Sequence, residues 1–370
     1  MNILLDANTL SPVKAGIGYY TYNLITELAK LKAAQQSLAI CIRTKLLNNF
    51  AGIEARVKVI SIPEPVFAKY LPFESSWMSG FDLYHEPNYI PRLFTGKTVV
   101  TICDMSHKLF PQHHPRRRVL QLNLFANRMR IADHIITISQ NSKQEIIDFL
   151  GIPEERISIT YLGANLDFQK LTLECDMIDN LRQHYHLPER FFLYVGTIEP
   201  RKNLARLIEA YSLARNEGID QEIKLVLTGG NGWLYKDIYA RVKQLRLENE
   251  IIFTGYVSDK DLPILYNMAE VFVYPSIYEG FGLSPLEAMA CGIPVIASNT
   301  SSIPEVVGDA GILVDPYRVE DIASAMFKVI ESRQIQDDLS QRGLIQAQRF
   351  SWKKCAEETW QVYQQCLQGG

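Results

Sequence analysis

The sequence predicts an α/β protein built from two doubly wound parallel-sheet domains in tandem. Three observations carry this. Short apolar, β-rich runs alternate with helical patterns, the mark of βαβ units whose sheets are covered on both faces. The alternation breaks once, across residues 169–190, and then restarts in the same rhythm. A length of 370 residues suits two domains of ordinary size.

The elements follow in order. Asn2 to Ala7 is a first apolar run, followed by a glycine loop, Gly16-Ile17-Gly18, and a helix with Tyr19, Leu24, Ile25 and Leu28 at apolar positions. Further strands are expected at Leu38–Ile42, Val57–Ile62, Thr98–Cys103, Ile135–Ser139 and Ile157–Leu162, with helices at Gln121–Ala132 and Ser142–Leu150. The segment ending in His186-Leu187-Pro188-Glu189-Arg190 reads as a linker, so the domains are placed at 1–170 and 191–350, with 171–190 between them. The second half gives strands at Phe191–Gly196, Ile223–Thr228, Ile251–Gly255, Val271–Tyr274, Pro294–Ser298 and Ile312–Asp315. Helices are expected at Asn203–Arg215 and Leu234–Leu247. Near the end, Trp352, Ala356, Trp360, Tyr363 and Leu367 recur at spacings of 4, 4, 3 and 4, which makes one apolar helical face. A helix over about 352–370 is therefore expected to pack back on the first domain.

Composition narrows the function. Lys plus Arg is 38 and Asp plus Glu is 41, a net charge of −3 that argues against general nucleic-acid binding. Hydrophobic residues make up 47% and charged residues 21%, which argues against disorder. No apolar run reaches the ~18–20 residues of a spanning helix, and the N-terminus lacks the basic and apolar regions of a signal peptide. A cytosolic location is expected. The six cysteines form no CxxC pair and the histidines no HExxH, so no structural metal is expected.

The most informative stretch runs from Tyr278 to Val295. It follows the strand Val271–Tyr274 and opens a helix at Ser284, with Pro285 in the first turn and Glu287 three residues on, the pattern of a capping box. Gly280, Phe281, Gly282 and Leu283 would then present backbone N–H groups ahead of a helix N-terminus, a natural phosphate site. Glu279 stands directly beside those glycines. A carboxylate next to a phosphate site is costly unless it binds something else, such as sugar hydroxyls. Near the first turn of the same half, Arg201 and Lys202 are adjacent cations where the helix dipole disfavours them, which an anion bound there would explain.

Glu279 and Glu287, with seven residues between them, resemble the E-x7-E element of retaining glycosyltransferases of family 4, which have the GT-B fold. Arg201-Lys202 match the pair that clamps the nucleotide diphosphate in that family. Ala15-Gly16-Ile17-Gly18 resembles the family's N-terminal G-G-x-G loop, with Ala15 in place of the first glycine. Gly229, after Leu227-Thr228, and Val257, within Phe253–Ser258, match segments lining the nucleotide. Asp104 sits where the family carries a His-Asp pair, but Cys103 replaces the histidine. His85 and His107 lie at strand ends on the acceptor side.

The resemblance implies transfer of a hexose from a nucleotide-diphosphate sugar, UDP-glucose ahead of GDP-mannose, to a hydroxyl of a glycan or glycolipid. It implies retention of configuration, no metal and no cofactor, the donor being a substrate. Arg201, Lys202, Glu279 and Asp104 are the expected catalytic residues. Gly16, Gly18, Gly229, Val257, Gly280, Phe281, Gly282, Leu283 and Glu287 would bind the donor, and His85, Cys103 and His107 the acceptor. The basic stretch with Arg116, Arg117, Arg118, Arg128 and Arg130 leaves a peripheral membrane contact open beside the solvated-face reading. Three rivals stay open: a GT-B phosphorylase or epimerase, a catalytically silent sugar-nucleotide binder, and a nicotinamide-dependent oxidoreductase. The last is weakened because Thr21 stands where GxGxxG needs its final glycine.

Overall fold

The computed structural model describes residues 1–10, 16–31, 34, 37–46, 57–62, 69–71 and 75–368. Ala15, the substituted position of the N-terminal glycine loop, lies outside them. The chain forms two compact units, residues 1–163 with 351–370, and residues 164–350.

The first unit is built on a parallel sheet. Its strands are β1 (Ile3–Asp6), β2 (Leu38–Arg43), β3 (Lys58–Ile62), β4 (Leu83–Glu86), β5 (Lys97–Thr101), β6 (His134–Thr137) and β7 (Ile157–Ile159). Their order is β3-β2-β1-β4-β5-β6-β7, so the winding reverses between β1 and β4. The central strands β1 and β4 are buried throughout, as parallel strands covered on both faces require, although β4 carries His85 and Glu86. The helices are α1 (Gly16–Leu28), α2 (Ser106–Leu109), α3 (Arg116–Leu124), α4 (Ala126–Arg130) and α5 (Gln140–Leu150). α5 shows why a helix begins and ends where it does. The Ser139 side chain accepts from the Ser142 N–H, and Gly151 closes the helix in the left-handed region at φ 62°.

Two expectations for this unit change. Gly16 and Gly18 lie inside the first turn of α1 and not in a loop ahead of it; Ile17 between them packs on the core, which draws the helix start forward. The single helix expected over Gln121–Ala132 is two, α3 and α4, broken at Phe125.

The second unit carries β8 (Arg190–Val195), β9 (Ile223–Thr228), β10 (Ile251–Gly255), β11 (Val271–Tyr274), β12 (Val295–Ser298) and β13 (Ile312–Val314), in the order β10-β9-β8-β11-β12-β13. Its helices are α6 (Cys175–Tyr185), α7 (Leu204–Asn216), α8 (Lys236–Gln244), α9 (Leu262–Met268), α10 (Leu283–Ala290), α11 (Ile303–Val307), α12 (Val319–Ile330) and α13 (Arg333–Ala347). The segment expected as a linker therefore contains α6, whose Tyr185 hydroxyl donates to Asp261 beside α9 at 2.7 Å. Phe191, Phe192, Leu193 and Tyr194 of β8 are fully buried. At about 1.5–3 kcal/mol per large side chain, such a strand is the centre of the unit's stability.

The last helix, α14 (Trp352–Gln368), belongs to the first unit. Trp352, Ala356, Trp360 and Tyr363, four residues of the expected apolar stripe, are buried there. Tyr363 is fixed by its hydroxyl, which meets His85 Nδ1 at 2.5 Å.

Candidate active site

In the second sheet the winding reverses between β8 and β11, and doubly wound sheets take ligands beyond the carboxyl ends of their strands at such a point. The loops leaving these two strands carry Arg201, Lys202 and Glu279. They are tied to one another by the Ile277 N–H on the Arg201 carbonyl at 3.0 Å and by the Asn203 amide on the Pro275 carbonyl at 3.0 Å. Asn203 takes the left-handed region at φ 62°, which ends the 3₁₀ turn Pro200–Lys202 and starts α7.

Glu279 is the centre of this site. One carboxylate oxygen accepts from Lys202 Nζ at 2.6 Å, the Ser276 hydroxyl at 2.5 Å and the Tyr274 hydroxyl at 3.0 Å. The other lies 3.3 Å from an Arg201 guanidinium nitrogen. Arg201 also pairs with Glu199 at 2.8 Å, and Tyr194 stacks on Tyr274 with ring centroids 5.7 Å apart. Lys202 and Glu279 are each only 9% exposed. Arg201 and Lys202, placed by the sequence at a turn awaiting an anion, are thus already faced by carboxylates. Burial would raise the Glu279 pKa, but Lys202 and Arg201 outweigh it and hold the carboxyl at about 2. Burial lowers the Lys202 pKa, against the pull of Glu279.

The start of α10 departs from the expected capping box. The N-cap lies two residues early, at Gly282 with φ 116° in place of Ser284, and no side chain caps the helix. Glu287 turns elsewhere and accepts from the Tyr266 hydroxyl at 3.1 Å. Among the described residues the N–H groups of Gly282, Leu283 and Ser284 have no protein acceptor, so the end remains able to bind an anion. Burial, with no cation alongside, raises Glu287 to about 8. The sign is opposite to that of Glu279: a carboxyl with a raised folded pKa loses stability as pH climbs from the ordinary value of 4.5 through 8. Glu287→Gln should therefore melt higher than wild type at pH 8 and equal it near pH 4.5. Equal melting temperatures at both would show the carboxyl to be freely hydrated.

The other residues expected to bind the donor fall as follows. Gly280, Phe281 and Leu283 flank this helix start. Gly229 follows β9, and a Cβ there would come within 2.0 Å of the Gly196 carbonyl, so two turns meet at a point only glycine fits. Val257 is buried just beyond β10, at the same strand edge. Gly16 and Gly18 are in the first unit, in α1.

In the first unit, Asp104 and His107 follow β5. One Asp104 oxygen accepts from the Tyr89 hydroxyl at 3.0 Å, the Ser106 N–H at 2.9 Å and the Ser106 hydroxyl at 2.7 Å. Cys103 is buried, and burial pushes its thiol pKa well up. His85, expected on the acceptor side, has both ring nitrogens engaged by protein groups. Its ring is fully buried between Tyr363 and the Thr101 hydroxyl, 2.8 Å away, and burial lowers its pKa to about 3. Of the basic stretch, Arg128 is structural, donating to the carbonyls of Lys69, Tyr70 and Leu71 at 2.9, 3.0 and 2.9 Å. Arg116 and Arg117 are exposed near Leu120, Leu124 and Ile131, which are 68%, 71% and 70% exposed. The motif pattern missed Tyr274, Ser276 and Glu199, whose only local sign is nearness to Glu279 or Arg201. Among the described residues no group of three His, Cys, Asp or Glu is placed to hold a metal, and no helix is long and apolar enough to cross a membrane.

Comparison with known proteins decides the family. Residues 15–168 match the family model Glycosyltransferase Family 4, and residues 178–346 match Glycosyl transferases group 1. Over 284 residues, 76% of this chain and 74% of the relative, the sequence is 38% identical to O-antigen chain mannosyltransferase B of Escherichia coli. The chain is a family 4 glycosyltransferase. This glycosyltransferase is also 35% identical, over 69% of its length, to the serotype-specific mannosyltransferase WbdA of Escherichia coli, of which it spans 32%. The sucrose-phosphate synthase of Thermosynechococcus elongatus superimposes with a TM-score of 0.77 at 23% identity, covering 100% of both chains. WaaG, a glycosyltransferase involved in lipopolysaccharide biosynthesis, gives 0.72 at 15% identity, covering 97% of this chain and 99% of that one. The fold is GT-B.

Proposed function

We propose that this glycosyltransferase moves a hexosyl group from a nucleoside diphosphate sugar to a hydroxyl of a glycan or glycolipid during polysaccharide synthesis, with retention and without a metal. The observation that carries this is the Arg201–Lys202–Glu279 cluster at the switch point, beside the open N–H groups of α10. The anomeric C–O bond breaks, and the nucleoside diphosphate leaves with the electron pair. The acceptor oxygen bonds to the same carbon, and its proton passes to a leaving phosphate oxygen. Charge grows on the leaving phosphate, so cations and N–H groups fixed in advance stabilise the transition state more than the bound donor. Glu279 steadies the positive ring, Glu287 holds the ribose, and Asp104 holds the acceptor hydroxyl.

The mannosyltransferase relatives favour a mannosyl donor, hence GDP-mannose ahead of the UDP-glucose expected from the sequence. A glycolipid acceptor would be met at a membrane surface, for which the exposed Leu120, Leu124 and Ile131 beside Arg116 and Arg117 are the suited part of the first unit.

The test is a thermal shift panel of GDP, UDP, GDP-mannose, UDP-glucose and NAD, with and without EDTA, followed by transfer assays. A nucleoside diphosphate at 100 times its Kd should stabilise by about 2.7 kcal/mol, EDTA present or not. Protection lost in EDTA would overturn the metal-free part, and protection by NAD alone would overturn the whole.

A further inference from the structure

The ring of Tyr89 is the hub of a second cluster, in the first unit, that the donor chemistry does not use. Tyr89 is buried, 5% exposed, and lies in the left-handed region at φ 59°, a conformation that a bulky residue holds only under constraint. The constraint is visible. Its N–H donates to the Thr101 carbonyl at 3.1 Å, and its hydroxyl donates to Asp104 at 3.0 Å. The Arg118 guanidinium lies over its face, 5.6 Å from the ring centroid. The His107 ring stands edge-on to it, centroids 6.0 Å apart and planes at 89°.

Three polar groups around this hub lack partners among the described residues. Arg118 has no ion pair or side-chain hydrogen bond beyond its contact with the ring. His107 is 2% exposed, yet neither ring nitrogen has a hydrogen-bond partner. The side-chain oxygen of Asn88, next to Tyr89, is likewise buried and unpaired. Native proteins satisfy nearly all buried polar groups, so the His107 and Asn88 atoms mark strain, catalysis or a ligand, beside a half-buried Arg118. Here they gather around a strained residue at the carboxyl ends of β4 and β5, the ligand-binding edge of a parallel sheet.

The chemistry of the unpaired groups differs, and that difference identifies the ligand. Asp104 spends one oxygen on three donors and keeps the other free, which suits a sugar hydroxyl. A guanidinium stacked on an aromatic ring with its donors free suits a phosphate or carboxylate, which it binds through two parallel hydrogen bonds. We propose that Tyr89, Asp104, His107 and Arg118 form the acceptor subsite, and that it takes a sugar carrying an anionic group, Asp104 receiving the hydroxyl and Arg118 the anion. This rests on the glycosyl-transfer reading above and adds the acceptor's charge to it. Asn88 and His107 line the subsite and gain their missing partner when it is filled.

The experiment is calorimetric, on the full chain, with the tightest-binding nucleoside diphosphate present in excess so that the Arg201–Lys202 clamp is filled. The probes are mannose 1-phosphate and methyl α-mannoside, a pair that differs in charge. Wild type should bind the phosphate at least about tenfold more tightly than the glycoside. Arg118→Ala should bring that ratio close to one, and Arg118→Lys should restore part of it. His107→Phe separates a site residue from a structural one. The histidine nitrogens have no partner to lose in the free protein, so the variant should melt at or above the wild-type temperature while binding both probes several-fold more weakly. A ratio near one in wild type, a ratio unchanged in Arg118→Ala, or no wild-type binding of the phosphate would each overturn the proposal. So would a His107→Phe protein that melts lower with unchanged affinity, or a phosphate probe that displaces the nucleotide. Absence of transfer from every donor would instead overturn the glycosyl-transfer reading, while the binding ratios still decide this one.

Discussion

Lys202→Ala is expected to unfold at a markedly lower urea concentration than wild type and to lose most of its transfer activity. Removing the ammonium leaves Glu279 enclosed, with Arg201 at 3.3 Å as its remaining cation. Taking one partner from a buried pair costs about 3–5 kcal/mol, because the other charge stays out of water without compensation. On the proposed mechanism the same change also takes a cation from the leaving phosphate, worth roughly 10²–10³ in turnover for a group of this kind. The two readouts come from one atom, Nζ, and fall together. A variant with the wild-type urea midpoint would show that Glu279 reaches water once the lysine is gone. Full turnover would remove Lys202 from the site.

Glu279→Gln tests the same cluster from the other side. The folded pKa of about 2 lies below the ordinary carboxylate value of 4.5. The ionised group therefore contributes stability that is complete above about pH 4.5 and disappears as pH falls through 2. The gap of about 2.5 units corresponds to on the order of 3 kcal/mol, which an amide forgoes. The glutamine variant should be less stable than wild type at pH 7 and should approach it at pH 2. Transfer should fall as well, since an amide can still touch hydroxyls but cannot steady a cationic ring. Urea midpoints at pH 7 and pH 2 decide the matter. A stability difference that does not change with pH would assign the loss to shape and not to charge.

Much of the architecture was legible because buried parallel strands leave continuous apolar runs such as Phe191-Phe192-Leu193-Tyr194. α6 was not, for a plain reason. It buries Leu181 alone, and a helix with one buried residue leaves almost no stripe to read. The site residues were legible as a set of motifs, but their surroundings were not. Lys202 meets Glu279 across 77 residues of sequence, and His85 meets Tyr363 across 278, so burial and pairing are decided by partners that no local window contains. The Ser284-x-x-Glu287 pattern misled in the same way. Locally it is a capping box, yet Glu287 is claimed by Tyr266, 21 residues earlier, and the helix starts on a glycine instead.

The first unit is discontinuous, leaving at Gly163 and resuming at Ser351. A ribosome makes the chain from the amino end, so the order of completion is inverted with respect to position. The second unit has all its residues while the first still waits for its last helix. Until α14 emerges, the His85 ring lacks its Tyr363 partner, and Tyr20 lacks Trp352, whose ring centroid lies 6.4 Å away in the finished fold. The nascent first unit thus carries an uncovered apolar seat throughout synthesis of residues 164–350. Domains usually finish in the order they are made. Here the 17 residues of α14 are the closing piece of the part begun first.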